Sequence, residues 1–408
     1  MLNRVWFVFF ITAAIAIILQ LFSGNSQVLS ASVDAIFSSA KLAAEIAIGL
    51  VGVLSLWMGL MRIGEKAGLV SRFAQVLEPL LSRLMPEVPR GHPAFGSVTM
   101  NLTANFLGLD NAATPLGLKA MQDLQTLNPN KQTATNAQIL FLVLNTSSVT
   151  LVPVTVFLYR AQQGAAAPTD VFLPILLATT ASTLVGLSVV AWFQRIRLMN
   201  AVVLGYGALL LSSLATLLMV LGASTTTFIS EFSAIAGNGI LLCLIFSFVL
   251  IAAFKKVAIY DEFVEGAKEG FQLSINLIPY LLAMLLAIAL LRASGALDYV
   301  LQLLAYCVQA FGGDIRFVDA MPTGLMKPFS GSGARAMMLE TMSHYGPDSF
   351  AGRLAAVFQG STETTFYVLA VYFGSVGIRY TRHALTCGLV ADAAGLITAI
   401  FVCYWFYG

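Results

Sequence analysis

Two polar stretches inside an apolar chain decide the fold: Asn101–Met121 reads NLTANFLGLDNAATPLGLKAM, and Ser330–Arg335 reads SGSGAR. They lie within the longer segments Val98–Leu124 and Ala320–Met342. A polar run costs free energy in a bilayer unless it lines a cavity or packs against protein. Because the same arrangement occurs twice, we expect two re-entrant helical hairpins that build one polar site from two halves. In the first, Pro115 should begin or break a helix, with Asn111 and Thr114 as capping types; in the second, Ser330 or Ser332 should cap the helix part that holds Arg335.

Each polar stretch is followed by a membrane-length segment with polar residues near its start. The first carries Asn145-Thr146-Ser147-Ser148, and the second carries Gln359-Gly360-Ser361-Thr362-Glu363-Thr364-Thr365. Backbone that is not helical is tolerated at membrane depth only where protein or a cavity satisfies it. The pattern therefore predicts two broken helices beside the two hairpins.

Composition places the whole chain in a membrane. Of its 408 residues 58% are hydrophobic and only 10% are charged, and the mean hydropathy is +0.84. A soluble domain carries about a quarter charged residues. The absence of a phosphate-binding loop argues against an ATP-driven pump in this chain. We predict an all-α integral membrane protein with about nine transmembrane helices. The segments are Val5–Ser23, Ala43–Met61, Ile139–Tyr159, Val171–Phe193, Ala201–Leu221, Gly239–Phe254, Leu273–Leu291, Leu354–Phe373 and Leu385–Phe406.

The order of elements indicates an internal repeat. Each hairpin is preceded, in the same order, by an Asp-x-x-Phe or Asp-x-Phe motif, an Ala-Lys pair, an apolar helix, an arginine and a glycine. The arginines are Arg62 and Arg292. We therefore expect one repeat over residues 1–198, a linker helix within 199–231, and a second repeat over 232–408. Similarity of composition alone is the alternative explanation.

Charge then predicts opposite orientations for the two repeats. By the positive-inside rule, the loop with Arg62, Lys66, Arg72, Arg83 and Arg90 is cytoplasmic, whereas the links Gly24–Ala40 and Gly222–Asn238 contain no Lys or Arg and face outward. The first helix of repeat one then runs outward and that of repeat two runs inward. Inverted repeats with broken helices are typical of secondary transporters.

The candidate site residues are the polar side chains of these four segments. Tight packing of small residues at helix crossings is the alternative. For Asp392 the alternative is a structural pairing with a nearby arginine or a place in a capping network. Two carboxylates, Glu363 and Asp392, are the candidates for coupling to a proton or a sodium ion. The substrate-binding candidates are Asn101, Asn105, Asp110, Asn111, Thr114, Asn145, Thr146, Ser147, Ser148, Ser330, Ser332, Gln359, Ser361, Thr362 and Thr364.

The motifs resemble those of a known family. Asn111-Ala112-Ala113-Thr114-Pro115-Leu116-Gly117 and Asn145-Thr146-Ser147-Ser148 are similar to spore maturation protein A, and Phe263-Val264-Glu265-Gly266-Ala267-Lys268 and Gln359–Thr365 to spore maturation protein B. The resemblance implies a fusion of both, joined by Ala201–Leu221. It also implies a "nucleoside recognition" or gate domain in each half, shared with ferrous iron transporter B and distantly with concentrative nucleoside transporters, and a bacterial plasma membrane location.

Two functions follow as expectations. The first is a secondary transporter, importing or exporting a small polar metabolite that is nucleoside-like or amino-acid-like and is bound at the membrane midplane. The second is a non-transport scaffold or accessory protein in envelope or spore maturation. An enzyme is not expected, because no nucleophile–base pair or metal triad is visible, and no cofactor is expected either. The expected partners are a small polar molecule and the lipid bilayer but no nucleic acid, and a homo-oligomer remains open.

Overall fold

The computed structural model describes residues 2–89, 91–106 and 110–408. Arg90 of the basic loop and the centre of the first hairpin, residues 107–109, therefore lie outside the described residues. The α-helices are α1 Leu2–Phe22, α2 Gln27–Lys66, α3 Leu69–Leu84, α4 Pro93–Phe106, α5 Asp110–Thr126, α6 Asn136–Thr146, α7 Val154–Gln162, α8 Phe172–Gln194, α9 Ala201–Gly222, α10 Thr226–Phe254, α11 Ile259–Ala293, α12 Ala296–Ala310, α13 Met321–Met326, α14 Gly331–Tyr345, α15 Phe350–Ser361, α16 Thr365–Val368 and α17 Ala384–Tyr407.

The prediction of an all-α membrane protein is confirmed. In the part of the chain that the structure describes, five continuous helices are long and apolar enough to cross a bilayer, and they are α2, α8, α9, α10 and α17. The other four predicted segments fall on α1, on α11 and on two interrupted helices. The last part of α11, Leu282–Ala293, is bent by 70° against α12. The interruptions separate α6 from α7 and α15 from α16.

The chain forms two compact units, each assembled from both halves of the sequence. The first unit comprises Met1–Leu60, Leu158–Ala166 and Tyr260–Gln359. Within it α1 is hydrogen-bonded to α11 and to the residue that follows it. Trp6 Nε1 donates to the Ala283 carbonyl at 2.8 Å, and Gln20 Nε2 donates to the Ser294 carbonyl at 2.9 Å. The apolar core here is built from the following side chains: Ala13, Leu290, Leu291, Ala296, Leu297, Leu301 and Val318.

The second unit comprises Met61–Phe157, Ala167–Ile259 and Gly360–Gly408. Its centre is the pair α8 and α17, packed against α6, with α4 and α5 forming the first hairpin beside them. At one end, the loop before α6 pairs with the loop before α17, where the Ala134 N–H donates to the Tyr380 carbonyl at 3.0 Å. Both helix interruptions, after Thr146 and after Ser361, belong to this unit.

A similar corner occurs after each of the two long helices. Gly68 joins α2 to α3 with φ of 70°, and Gly295 joins α11 to α12 with φ of 69°. Left-handed backbone of this kind favours glycine, because a Cβ would clash with the carbonyl group. The recurring order of an arginine followed by a glycine in the sequence therefore corresponds to the same turn made twice. The proposed domain boundaries themselves stay a prediction.

One local prediction is wrong. Pro115 was expected to start or break a helix, with Asn111 and Thr114 as capping residues, but α5 is already helical from Asp110 and contains Pro115. Pro115 lies beyond the first turn of α5, so it removes one intrahelical hydrogen bond, but the helix continues through it. By contrast, Ser330 caps α14 as expected, since its Oγ accepts from the Gly333 N–H at 3.0 Å.

Candidate functional site

The first interruption follows from the hydroxyl side chains at the end of α6. Thr146 Oγ1 and Ser147 Oγ both donate to the Val143 carbonyl, at 3.1 and 2.8 Å, and such bonds compete with a continuing helix. The chain then runs without helix until Val154. Its backbone groups are satisfied from neighbours, because the Leu151 N–H donates to the Phe106 carbonyl at 2.9 Å and Thr183 Oγ1 donates to the Ser147 carbonyl.

The second interruption lies directly beside the first. α15 ends at Ser361 and α16 begins at Thr365, and between them the Glu363 N–H donates to the Thr146 carbonyl at 2.7 Å. A five-residue π-helix, Leu369–Phe373, follows α16. Two interrupted helices from different halves of the sequence are thus joined by a main-chain hydrogen bond at their breaks.

An amide–phenol cluster occupies the space between the first hairpin and these breaks. Asn145 Nδ2 donates to Asn101 Oδ1 at 2.7 Å, and Asn101 Nδ2 donates to the Ala113 carbonyl at 2.6 Å. Both amides also donate to the Tyr372 hydroxyl, each at 3.4 Å. All three side chains are almost fully buried. The cluster is a set of buried, neutral donors and acceptors, which suits a neutral polar ligand.

Tyr372 is the residue of this cluster that sequence reasoning missed. Its ring stacks on Phe141 with centroids 5.8 Å apart, and its hydroxyl lies over Gly117, where a Cβ atom would overlap it. Tyr372 sits in the π-helical turn, so the spacing of an ordinary helix could not have placed it beside Asn101. A tyrosine in the apolar part of the span that follows Thr365 was the available signal, since a buried phenol usually has a hydrogen-bond partner.

Small residues on α8 and α17 let both helices approach the breaks. A Cβ at Gly395 would come within 2.7 Å of Thr362, and one at Gly388 within 2.7 Å of Thr365. A Cβ at Gly186 would lie 3.2 Å from Ser147 Oγ. Side chains larger than glycine would therefore push the helices away from the polar segment, which makes these positions part of the site's walls.

Some buried polar atoms of the first hairpin and of the second break with the start of α16 have no hydrogen-bond partner among the described residues. They are Asn105 Nδ2, Thr103 Oγ1, Thr362 Oγ1 and Thr365 Oγ1. Asn105 lies one turn after Asn101 on α4, and thus on the same helix face. A buried polar atom without a partner costs about 1–3 kcal/mol. These atoms are consequently the groups that a polar ligand or water could satisfy.

The two carboxylate candidates both belong to the second unit but differ in exposure. Glu363 lies in the second break and is half-buried, whereas Asp392 is buried within α17 next to Ala391, whose carbonyl accepts from Ser182 Oγ at 2.9 Å. No cluster of three metal-ligating side chains is found in the described ranges.

The structure divides the predicted site residues between the two units. Ser330, Ser332 and Gln359 lie in the first unit, where Ser330 Oγ and Ser332 Oγ are 3.2 Å apart and Arg335 stacks over the ring of Tyr159 at 5.4 Å. The side chains of Asp110 and Asn111 lie outside the described part. The remaining predicted residues belong to the second unit, at or next to the hairpin and the two breaks, and they are Asn101, Asn105, Thr114, Asn145, Thr146, Ser147, Ser148, Ser361, Thr362 and Thr364.

Fold and site define the class: a multi-pass α-helical membrane protein whose polar centre is made by interrupted helices. The chain belongs to the Gate family, described as nucleoside recognition, whose model matches residues 47–162 and 274–379. The two matches cover more than half of the chain and fall one in each predicted repeat. The resemblance of the sequence motifs to this family is thereby confirmed.

Two relatives from Bacillus subtilis (strain 168) match the chain. Spore maturation protein B is 46% identical over 160 residues, which is 39% of this chain and 88% of that protein. Spore maturation protein A is 46% identical over 149 residues, which is 36% of this chain and 76% of that protein. The chain is thus similar to both proteins along most of their lengths.

Proposed function

We propose that this protein is a secondary transporter for a small, neutral polar molecule, and not an enzyme. The observation that carries the proposal is the meeting of two interrupted helices at the Glu363–Thr146 hydrogen bond, next to the buried cluster of Asn101, Asn145 and Tyr372. Interrupted helices that meet at polar residues are how secondary transporters build substrate sites at membrane depth. The family description, nucleoside recognition, supports a substrate with amide and hydroxyl groups.

The cluster supplies the recognition chemistry. Asn101 and Asn145 present amide donors and acceptors, and the hydroxyls of Thr362 and Thr365 lie without partners among the described residues. A nucleoside-like or amino-acid-like molecule would replace the long 3.4 Å bonds to the Tyr372 hydroxyl with shorter ones. Glu363 is the candidate for coupling to a proton or a sodium ion, and Asp392 is the second candidate.

Proteoliposome uptake tests this proposal. The triple variant Asn101→Leu/Asn145→Leu/Tyr372→Phe removes the three side chains that hydrogen-bond to one another in the cluster. Replacing both partners of a buried hydrogen bond by apolar groups of similar shape is close to neutral for stability. We expect uptake of labelled nucleosides or amino acids to be lost, with the thermal unfolding temperature preserved. Asn25→Ala, an exposed amide outside the cluster, serves as the control and should transport normally. Full uptake by a stable triple variant would refute the proposed site.

A second candidate function rests on the relatives. Both are named for spore maturation, which favours an accessory role in envelope or spore maturation. The same triple variant separates the two candidates, because a scaffold needs the fold and not the polar cluster. If the stable triple variant restores a deletion strain fully while transporting nothing, the accessory role is the correct one.

We further propose a bacterial plasma membrane location with a cytoplasmic N-terminus and two inverted repeats. The charge distribution of the loops supports it, as does the recurrence of the glycine corner at Gly68 and Gly295.

A further inference from the structure

A basic pocket lies in the second unit, away from the breaks. It has a volume of about 400 Å³ and is formed where α3 ends, α6 begins and α8 passes into α9. Three arginines line it, Arg83, Arg195 and Arg197. By the positive-inside rule, this end of the unit faces the cytoplasm.

The three guanidinium groups have no carboxylate partner within the described ranges of the chain. The carboxylate that lines the pocket, Glu87, instead accepts from Asn136 Nδ2 at 2.8 Å. Ser82, Gln194 and Asn200 supply further polar groups to the walls. Three cations against one anion leave a net positive cavity, and guanidinium groups bind phosphate with well-matched paired hydrogen bonds.

Helix geometry adds to the positive potential. Asn200 caps the first turn of α9, with its Oδ1 accepting from the Val202 N–H at 3.0 Å. Since Asn200 lines the pocket, the amino-terminal end of a 22-residue helix lies at it, and such an end favours anions. Arg195 terminates α8 with φ of 53°, a conformation uncommon for residues other than glycine.

The surroundings of the pocket indicate a lipid. Trp192 and Phe193 are 75% and 44% exposed just before the two arginines, and Met199 is 89% exposed just after them. Exposed aromatic and apolar side chains beside cations are typical of the headgroup level of a membrane. The α9 span that starts at the pocket has no buried residue over its most apolar window, so acyl chains can lie along it.

We propose that this pocket binds the phosphate-bearing headgroup of an anionic phospholipid of the cytoplasmic leaflet, held by Arg83, Arg195 and Arg197. Basic pockets between transmembrane helices at the cytoplasmic side are suited to such headgroups. The site is independent of the substrate cluster, which is neutral and buried.

The test compares lipids on the purified full-length protein. We expect phosphatidylglycerol to raise the thermal unfolding temperature more than phosphatidylcholine does, and high salt to reduce the difference. Inorganic phosphate at millimolar concentration should not reproduce the effect. An equal effect of both lipids would overturn the proposal, and a full effect of inorganic phosphate would show a soluble anion as the ligand instead.

Variants assign the effect to the pocket. Arg195→Asn/Arg197→Gln removes two charges, and asparagine tolerates the left-handed backbone at position 195. We expect the phosphatidylglycerol-specific rise to be lost. Arg72→Gln/Arg379→Gln removes two exposed cations that do not line the pocket and should keep the rise. If Arg195→Asn/Arg197→Gln is poorly folded, the single variant Arg83→Gln replaces it and should weaken the phosphatidylglycerol-specific rise in unfolding temperature. An unchanged rise in Arg83→Gln or in Arg195→Asn/Arg197→Gln contradicts the assignment.

Discussion

At the scale of single residues, the site consists of neutral groups with a carboxylate at its edge. Asn101 uses both ends of its amide, since Oδ1 accepts from Asn145 while Nδ2 donates to the Ala113 carbonyl. The Tyr372 hydroxyl accepts from both amides and so retains its own proton for another acceptor. Such a network fixes side-chain orientation before a ligand arrives, which lowers the entropy cost of binding.

Glu363 allows the coupling hypothesis to be tested at this scale. Glu363→Gln keeps the main-chain bond to Thr146 and is nearly isosteric, so folding and membrane insertion should be unchanged. If the carboxylate couples transport, accumulation driven by a proton or sodium gradient should disappear, because an amide takes up no proton and carries no negative charge to balance a sodium ion. Uptake under imposed gradients measures this. Gradient-dependent accumulation at the normal level in Glu363→Gln would exclude the role.

His383 predicts how stability responds to acid. Burial, and secondarily the charge of Arg382, lower the pKa of this imidazole below its usual value of 6.5. As pH falls, the unfolded chain therefore takes up the proton before the folded protein does. The stabilising contribution of neutral His383 is complete above about pH 6.5 and is lost as pH falls through the lower pKa of the folded state. Thermal unfolding between pH 5 and 8 should show a steeper acid decline for the natural protein than for His383→Gln. Parallel pH profiles would contradict the prediction.

At the scale of elements, the interruptions were predictable, and their exact partners were not. Asn145–Ser148 and Gln359–Thr365 stand out because hydroxyl and amide groups interrupt apolar runs. The contact of Tyr372 with the first hairpin depends on a π-helical turn, which shifts the face of the helix and leaves no periodic signal. Pro115 was misread because a proline near a helix start resembles a helix boundary in sequence.

Gly117 tests the approach between α5 and this π-helical turn. Gly117→Ala introduces a methyl group that overlaps the Tyr372 hydroxyl, so the phenol must move and its bonds to the two amides break. We expect a loss of about 1–3 kcal/mol in stability together with weaker substrate binding. Gly96→Ala is the matched control, because it lies in α4 with open space around it and should be stabilising by about 0.5–1 kcal/mol. Equal stability changes in both variants would refute the close approach.

At the scale of the whole molecule, hydrogen bonds within the second unit join chain segments at each of its two ends. In the second unit, the loops around Gln132 and Arg379 are joined, and at its other end Asp170 is joined to Ser233 and Tyr407. Arg379 and Arg382 mark the first end as cytoplasmic by the positive-inside rule, whereas Ser233 lies in the link Gly222–Asn238, which contains no Lys or Arg and is expected outside. The hydrogen bonds therefore put Gln132 at the end of Arg379 and Asp170 at the end of Ser233, as the proposed topology requires.

Cysteine labelling tests this topology. In a background without Cys243 and Cys307, which are exposed, we place single cysteines at two exposed loop positions, Asn25 and Lys131. An impermeant maleimide added to intact cells should label Asn25→Cys and leave Lys131→Cys unlabelled until the membrane is opened. Labelling of both from the same side would refute the proposed topology.

The second unit takes its polar residues from both halves of the chain, which limits how the gene can be divided. Asn101 and Asn145 come from the first half of the chain, while Glu363 and Tyr372 come from the second. A polypeptide ending before α10 would leave the two amides without their phenol, and one starting there would leave the phenol without its amides. Two separately translated halves would therefore be obligate partners in equal amounts, and the covalent link through α9 fixes that stoichiometry within one polypeptide.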